Sequence, residues 1–185
     1  SHGNANSNNV VEVVNNRIFY YSVVDRGKVL KLNKAILALG VSITHRSMHL
    51  EVEPPPIKLH INSYGGSVFS GFAAIDYILQ SKVPVHTVID GCAASAATMM
   101  SIVGSKRSMH RNAFMLIHQL SSGMWGNHRQ LTDEMENCDM LMEKIRELYR
   151  RHTKIPKKQL DDMLKHDLWW DAETCLRYGL VDEII

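Results

Sequence analysis

The chain has 185 residues, of which 45% are apolar and 22% charged, and its net charge is +2. That length supports one domain with a substantial core, and the composition is that of a globular protein. So small a charge, carried by scattered lysines and arginines, excludes nucleic acid as a partner. No run reaches the ~18 apolar residues that a membrane span needs.

Residues 1–9 are rich in Asn, Ser and Gly and lack a core-forming pattern, so they are expected to be a disordered end. Ser1-His2-Gly3 reads as a cloning remnant, and no signal peptide is expected before so polar a start. Residues 10–185 are expected to form a single domain. Residues 17–24 are β-branched and aromatic and predict a strand. Residues 28–39 place Leu32, Ala35, Ile36 and Leu39 on one helical face, with Gly40 where a C′ glycine would end the helix. Residues 41–56 are expected to be a connector, because Pro54, Pro55 and Pro56 forbid a continuing helix.

Ile57, Leu59 and Ile61 alternate with Lys58 and His60 as in a short strand. A helix over residues 68–79 carries Val68, Phe72, Ile75 and Leu79 on one stripe. Residues 84–89 form the next strand, and 94–103 a helix so apolar that it must be buried. Residues 114–117 add a short buried strand. This strand–helix alternation predicts an α/β fold with parallel pairing.

Residues 128–152 form the longest predicted helix, about 37 Å at 1.5 Å per residue. Leu131, Met135, Cys138, Met142, Ile145, Tyr149 and His152 recur at steps of four and three, which suits packing against another helix. The helix is expected to project and meet a partner subunit. Pro156 opens a short helix to Leu164, residues 168–170 are extended, Asp171 caps a helix that Gly179 ends, and residues 181–185 close as a strand.

Three segments carry chemistry. Ser95 follows a strand and a Gly91-Cys92-Ala93-Ala94 turn, so it should open a helix where unpaired N–H groups favour negative charge. The frame is not the G-x-S-x-G elbow. His118 ends an apolar strand, before a turn at Ser121-Ser122-Gly123. Gly65-Gly66 follows a strand and opens a helix, where glycine permits positive φ and close backbone approach. Together these are the parts of a serine hydrolase: nucleophile, base and oxyanion-facing N–H groups.

A carboxylate should orient the histidine. Asp76, Asp90, Asp161, Asp162, Asp167 and Asp182 are candidates, and Asp167 is favoured because Leu168-Trp169-Trp170 should bury it. Cys92, Cys138 and Cys175 lack metal or disulfide spacing and read as buried thiols of a reducing, cytoplasmic setting. No metal is expected, since His45 and His49 alone have helical i,i+4 spacing and sit in a loop-like stretch.

Ile61-Asn62-Ser63-x-Gly65-Gly66, Ala93-Ala94-Ser95, Met115-x-Ile117-His118-Gln119 and Tyr178-Gly179-Leu180-Val181-Asp182 occur in an order and spacing that resemble the proteolytic subunits of the Clp (caseinolytic) protease, the ClpP family. The resemblance spans residues 17–182. It implies a crotonase-like α/β spiral of ββα units with a projecting handle helix at residues 128–152. It implies a serine endopeptidase with Ser95 as nucleophile, His118 as base, Asp167 as the third triad member, and Gly66 and Ala96 as oxyanion-hole N–H donors. No cofactor is implied for peptide hydrolysis. The implied partners are further copies of the chain in two stacked heptameric rings, an AAA+ unfoldase and unfolded polypeptides.

The chain departs from the family pattern at Tyr64 and Leu120, where proline is usual, and at Ala97, where glycine is common. Those departures keep a second reading open, a weakly active or non-catalytic ring subunit that assembles with a catalytic paralogue. A crotonase-type acyl-CoA enzyme is disfavoured because that chemistry does not need a Ser/His pair.

Overall fold

The computed structural model describes residues 8–118 and 126–185. The predicted turn at Ser121-Ser122-Gly123 and the departure at Leu120 lie outside the described residues. So does most of the N-terminal segment, although Asn9 already accepts a hydrogen bond from the Val23 N–H (3.1 Å).

One eight-stranded sheet organises the chain, with strand order β1-β2-β3-β4-β5-β8. β1 (Val10–Val14) runs antiparallel to β2 (Arg17–Tyr21). β3 (Ile57–Ser63), β4 (Val85–Ala94), β5 (Lys106–Met109) and β8 (Glu183–Ile184) then continue in parallel. β6 (Phe114–Leu116) pairs with the far end of β4 and with β7 (Trp169–Trp170). The crossovers between β2, β3 and β4 are the helices α1 (Arg26–Leu50) and α2 (Val68–Gln80). Parallel strands need such connections, so the predicted α/β class follows directly from the alternation of elements.

Strand alternation divides the sheet into two chemically different faces. Ile18, Tyr20, Ile57, Leu59, Ile61 and Ile89 are buried in one core with Leu32, Ile36 and Ile43 of α1 and Ala74, Ile75 and Ile78 of α2. The residues between them in sequence, including Phe19, Tyr21, His60 and Asp90, form the polar side.

α1 is twice as long as its sequence suggested, and residues 41–50 are helix rather than connector. Gly40 lies inside the helix and does not end it. The buried stripe Val29, Leu32, Ile36, Leu39 and Ile43 continues past the glycine to Ser47. Burying one such aliphatic side chain contributes about 1.5–3 kcal/mol, against about 1 kcal/mol lost to a mid-helix glycine. The packing therefore wins. The helix stops at Glu51 in the left-handed region (φ 55°), just before the three prolines. On α2 the buried residues are Gly71, Ala74, Ile75 and Ile78, while Leu79 of the expected stripe is half exposed.

Gly91-Cys92-Ala93-Ala94, expected to be a turn, is the second half of β4. The reason is pairing on both sides. Ala93 pairs with Ser63 of β3 after a shift in register beyond Ile61, and Cys92, Ala93 and Ala94 pair with Phe114, Met115 and Leu116 of β6. The strand changes neighbour near Gly91 (φ 71°), pairing β5 before it and β6 after it.

α3 (Ala96–Ile102) follows β4 and is buried at all seven positions. α4 (His128–His152) has the predicted bounds and opens with a capping box between Asn127 and Gln130. Its seam divides. Ile145 and Tyr149 are buried in the chain's own core, whereas Met135 is 55% exposed. α5 (Lys157–Leu164) and α6 (Ala172–Arg177) complete the fold, with Asp171 capping α6 by accepting from the Thr174 N–H (2.9 Å).

A Cβ added at Gly40 would meet nothing within 4 Å. Gly40→Ala is therefore expected to raise stability by about 0.5–1 kcal/mol, measured by urea unfolding. A loss of stability would mean that the helix breaks at this position.

Candidate active site

β4 delivers Ser95 to the N-cap of α3 with φ 58° and ψ −122°. A side chain with a Cβ rarely adopts that conformation, which costs about 1–3 kcal/mol and persists only where the surroundings enforce it. Here they do. The Ser95 N–H donates to the Leu116 carbonyl (3.1 Å), and the Ser95 carbonyl accepts from the N–H groups of Thr98 and Met99 (3.1 and 3.3 Å). The buried Thr98 hydroxyl sits between the Leu116 and Ala93 carbonyls (2.8 and 3.0 Å). Leu116 thus binds the start of α3 twice, and His118 lies two residues further along the same chain.

Gly65 and Gly66 close the other side. Both have positive φ, 96° and 153°. A Cβ on Gly65 would lie 2.6 Å from the Ala94 carbonyl oxygen and 2.7 Å from the Ser95 Cβ, so only glycine fits against the serine. The loop is fixed to residue 24 on both flanks: the Val24 N–H donates to the Gly65 carbonyl and the Ser67 N–H to the Val24 carbonyl, both at 2.8 Å. The Gly66 N–H between them has no acceptor among the described residues, and neither has the Ala96 N–H. Two unsatisfied donors beside a strained serine can receive a negatively charged oxygen.

Ser95, His118 and Gly66 line one pocket of about 100 Å³, walled by Val68, Met99, Ile145 and Tyr149. Sequence reading found the polar members and missed these walls, although Ile145 and Tyr149 belong to the seam it singled out. The Ser95 hydroxyl makes no hydrogen bond among the described residues. Bonds between nucleophile and base are often loose until substrate arrives.

Asp167 is exposed, as are Leu168 (63%) and Trp169 (44%), so the apolar stretch that was expected to bury it does not. Among the described residues Asp167 makes no hydrogen bond or ion pair. Most of the alternative carboxylates are engaged elsewhere. Asp90 holds His60, Asp161 pairs with Arg146, Asp162 lies near His166, and Asp182 takes Arg107. Arg107 also donates to the His152 carbonyl, so the Gly179-Leu180-Val181-Asp182 motif ties β5 to the end of α4.

The thiols are poor rival nucleophiles. Burial pushes the Cys92 thiol above its ordinary value, and burial with the nearby Asp171 pushes Cys175 up to about 12. Tyr64 is 77% exposed and meets Trp169 edge to face (6.4 Å), so this departure lies outside the core. Ala97 is completely buried.

The Clp protease family model matches residues 7–185. An ATP-dependent Clp protease proteolytic subunit from Deinococcus radiodurans is 31% identical over 148 residues, which cover 78% of this chain and 72% of that protein. A ClpP1 mutant from Listeria monocytogenes has the same fold, with a TM-score of 0.80 at 24% identity over 92% of this chain and 91% of that one. The chain belongs to the Clp protease family, and its α/β architecture is that of ClpP. No helix among the described residues is long and apolar enough to cross a membrane.

Ser95→Gly is expected to stabilise the fold by about 1 kcal/mol, because relief of about 1–3 kcal/mol of strain exceeds the entropic cost of glycine. Chemical denaturation measures this directly. A destabilised Ser95→Gly protein would show that the serine backbone is unstrained.

Proposed function

We propose that the chain is a serine endopeptidase that cuts polypeptides within a closed ring chamber. The observation that carries this reading is the strained Ser95 in one pocket with His118 and Gly66, whose N–H has no acceptor among the described residues. In this reading His118 takes the Ser95 hydroxyl proton as the oxygen attacks a peptide carbonyl. The carbonyl oxygen gains the charge and is held by the Gly66 and Ala96 N–H groups. His118 then protonates the leaving amine, and water releases the acyl group by the reverse sequence. The chemistry requires no cofactor.

Asp167 is the proposed orienting carboxylate, since most of its rivals are committed elsewhere. It would have to move from its exposed position to reach His118. Assembly offers the occasion. The first half of α4 carries exposed Met135 on the seam with half-buried Leu131 and Cys138, a face that a second such helix would cover between stacked rings. The second half builds the pocket wall through Ile145 and Tyr149. Ring contact and pocket geometry therefore share one helix. By analogy with the ATP-dependent relative, an AAA+ unfoldase would supply unfolded chains, and a cytoplasmic setting suits the free thiols.

The exposed Asp167 also favours a second reading, a weakly active ring subunit that works beside a catalytic paralogue. Peptide hydrolysis and light scattering on the purified chain separate the two. The first reading predicts large wild-type assemblies that cleave fluorogenic peptides, with Asp167→Asn lowering turnover on the order of 10⁴-fold. Met135→Glu is expected to give single rings or smaller species with reduced turnover. Ile145→Glu is no test of the interface, because Ile145 is buried in its own subunit. Assembled wild-type protein without turnover would select the second reading.

A further inference from the structure

On the polar face of the sheet, away from the serine pocket, His60, Asp90 and His110 converge from three neighbouring strands. His60 lies on β3, Asp90 on β4, and His110 directly follows β5. One ligating atom from each lies within 4.8 Å of the others. We infer that these three side chains form a binding site for a single transition-metal dication of the zinc type.

The donor set carries the choice of ion. Two imidazoles and one carboxylate suit zinc and its first-row neighbours, and they do not suit magnesium or calcium, which take oxygen ligands. Spacing agrees as well. A tetrahedral ion with ligands at about 2.0–2.1 Å holds neighbouring donors roughly 3.3 Å apart. The Asp90 Oδ1 lies 3.1 Å from the His60 Nδ1 and 3.2 Å from the His110 Nε2. The third pair, His60 and His110, has donors within 4.8 Å of each other, so closing the site draws these two rings together.

The surroundings resemble the outer shell of a metal site. The Tyr21 hydroxyl donates to the Asp90 Oδ2 (2.6 Å), which also lies 3.0 Å from the His60 Nδ1, while Oδ1 faces both histidines. The Phe19 ring stacks on the His60 imidazole at 4.7 Å and fixes its plane. The His110 N–H donates to the Ile89 carbonyl (3.1 Å), which anchors that residue beside β4. His60 is buried and His110 about half exposed, so the fourth coordination position faces solvent.

One group opposes the metal. The Arg17 Nη1 lies 2.9 Å from the His60 Nε2. Arginine can only donate, so the His60 Nε2 accepts and its Nδ1 carries the proton shared with Asp90. A metal on Nδ1 displaces that proton, and the neutral ring must then carry it on Nε2, facing a donor. Arg17 has to swing away, and its charge repels the ion. Arg17 therefore sets the affinity, and removing it should strengthen binding. A glutamine carbonyl in its place could accept the Nε2–H.

Zinc titration of the full chain against a chromogenic chelator tests the site. The His45/His49 pair and His2 are rival ligands, so the variants decide. His110→Ala removes a half-exposed ligand outside the regular strands and should weaken zinc binding at least tenfold, with an unchanged circular dichroism spectrum. Arg17→Gln should tighten it by about tenfold or more. Cobalt substitution should give the visible absorption of a four-coordinate site in the wild type and lose it in His110→Ala. Wild-type protein that binds no zinc at micromolar concentration would overturn the assignment. So would His110→Ala protein that binds as tightly as wild type, or Arg17→Gln protein that binds more weakly.

Discussion

The site depends on a carbonyl, that of Leu116, which accepts from the Ser95 N–H while the Thr98 hydroxyl lies against it. These contacts hold β6 against the first turn of α3 and force the serine into a conformation that a side chain avoids. They also fix the chain that bears His118. The strain of about 1–3 kcal/mol at Ser95 is small beside what the seven buried residues of α3 contribute. A short, wholly buried helix is thus what lets a non-glycine residue remain there. Gly65 completes the arrangement from the opposite side, since any larger residue would meet the Ala94 carbonyl and the Ser95 Cβ.

The same sheet separates the chain's chemistries. Its apolar face binds α1 and α2 and builds the core. Its polar face holds the Arg17, Tyr21, His60, Asp90 and His110 network. Asp90 sits below its ordinary carboxylate value: burial pushes it up, and hydrogen bonds from His60 and Tyr21 with the nearby imidazoles more than offset this. β4 joins the two regions, because Asp90 and Ser95 belong to one continuous stretch of chain. α4 makes a second junction. Its N-terminal half carries exposed Met135 and Met140, and its C-terminal half walls the pocket through Ile145 and Tyr149.

Much of this was legible in the sequence, for reasons that differ by element. The helix α4 was readable because its apolar residues recur at steps of four and three over a long stretch, whereas the Asn127 capping box that fixes its start is visible only in the structure. That Ser95, His118 and Gly66 would share one pocket was readable, because small residues and glycines beside the serine mark a close backbone approach and the histidine ends a neighbouring strand. Gly40 misled because a helix-ending signal is local, whereas the burial of Ile43 and Ser47 that overrides it is tertiary. The far half of β4 was missed because its pairing partners lie more than twenty residues away in sequence. β1 and β5 were missed because exposed edges and mixed polar residues weaken alternation. Asp167 was argued from apolar neighbours that turn out to face solvent. The His60, Asp90 and His110 cluster has no sequence signature at all, since its members meet only when three strands align.

The central claim is that Ser95 is an activated nucleophile, and covalent labelling tests it most directly. A fluorophosphonate probe reacts with a serine only where a base takes its proton and N–H groups hold the phosphoryl oxygen. Incubating the purified chain with the probe, followed by digestion and mass spectrometry, should place one adduct on Ser95. An adduct on another residue, or an assembled chain that takes up no probe, would contradict the account.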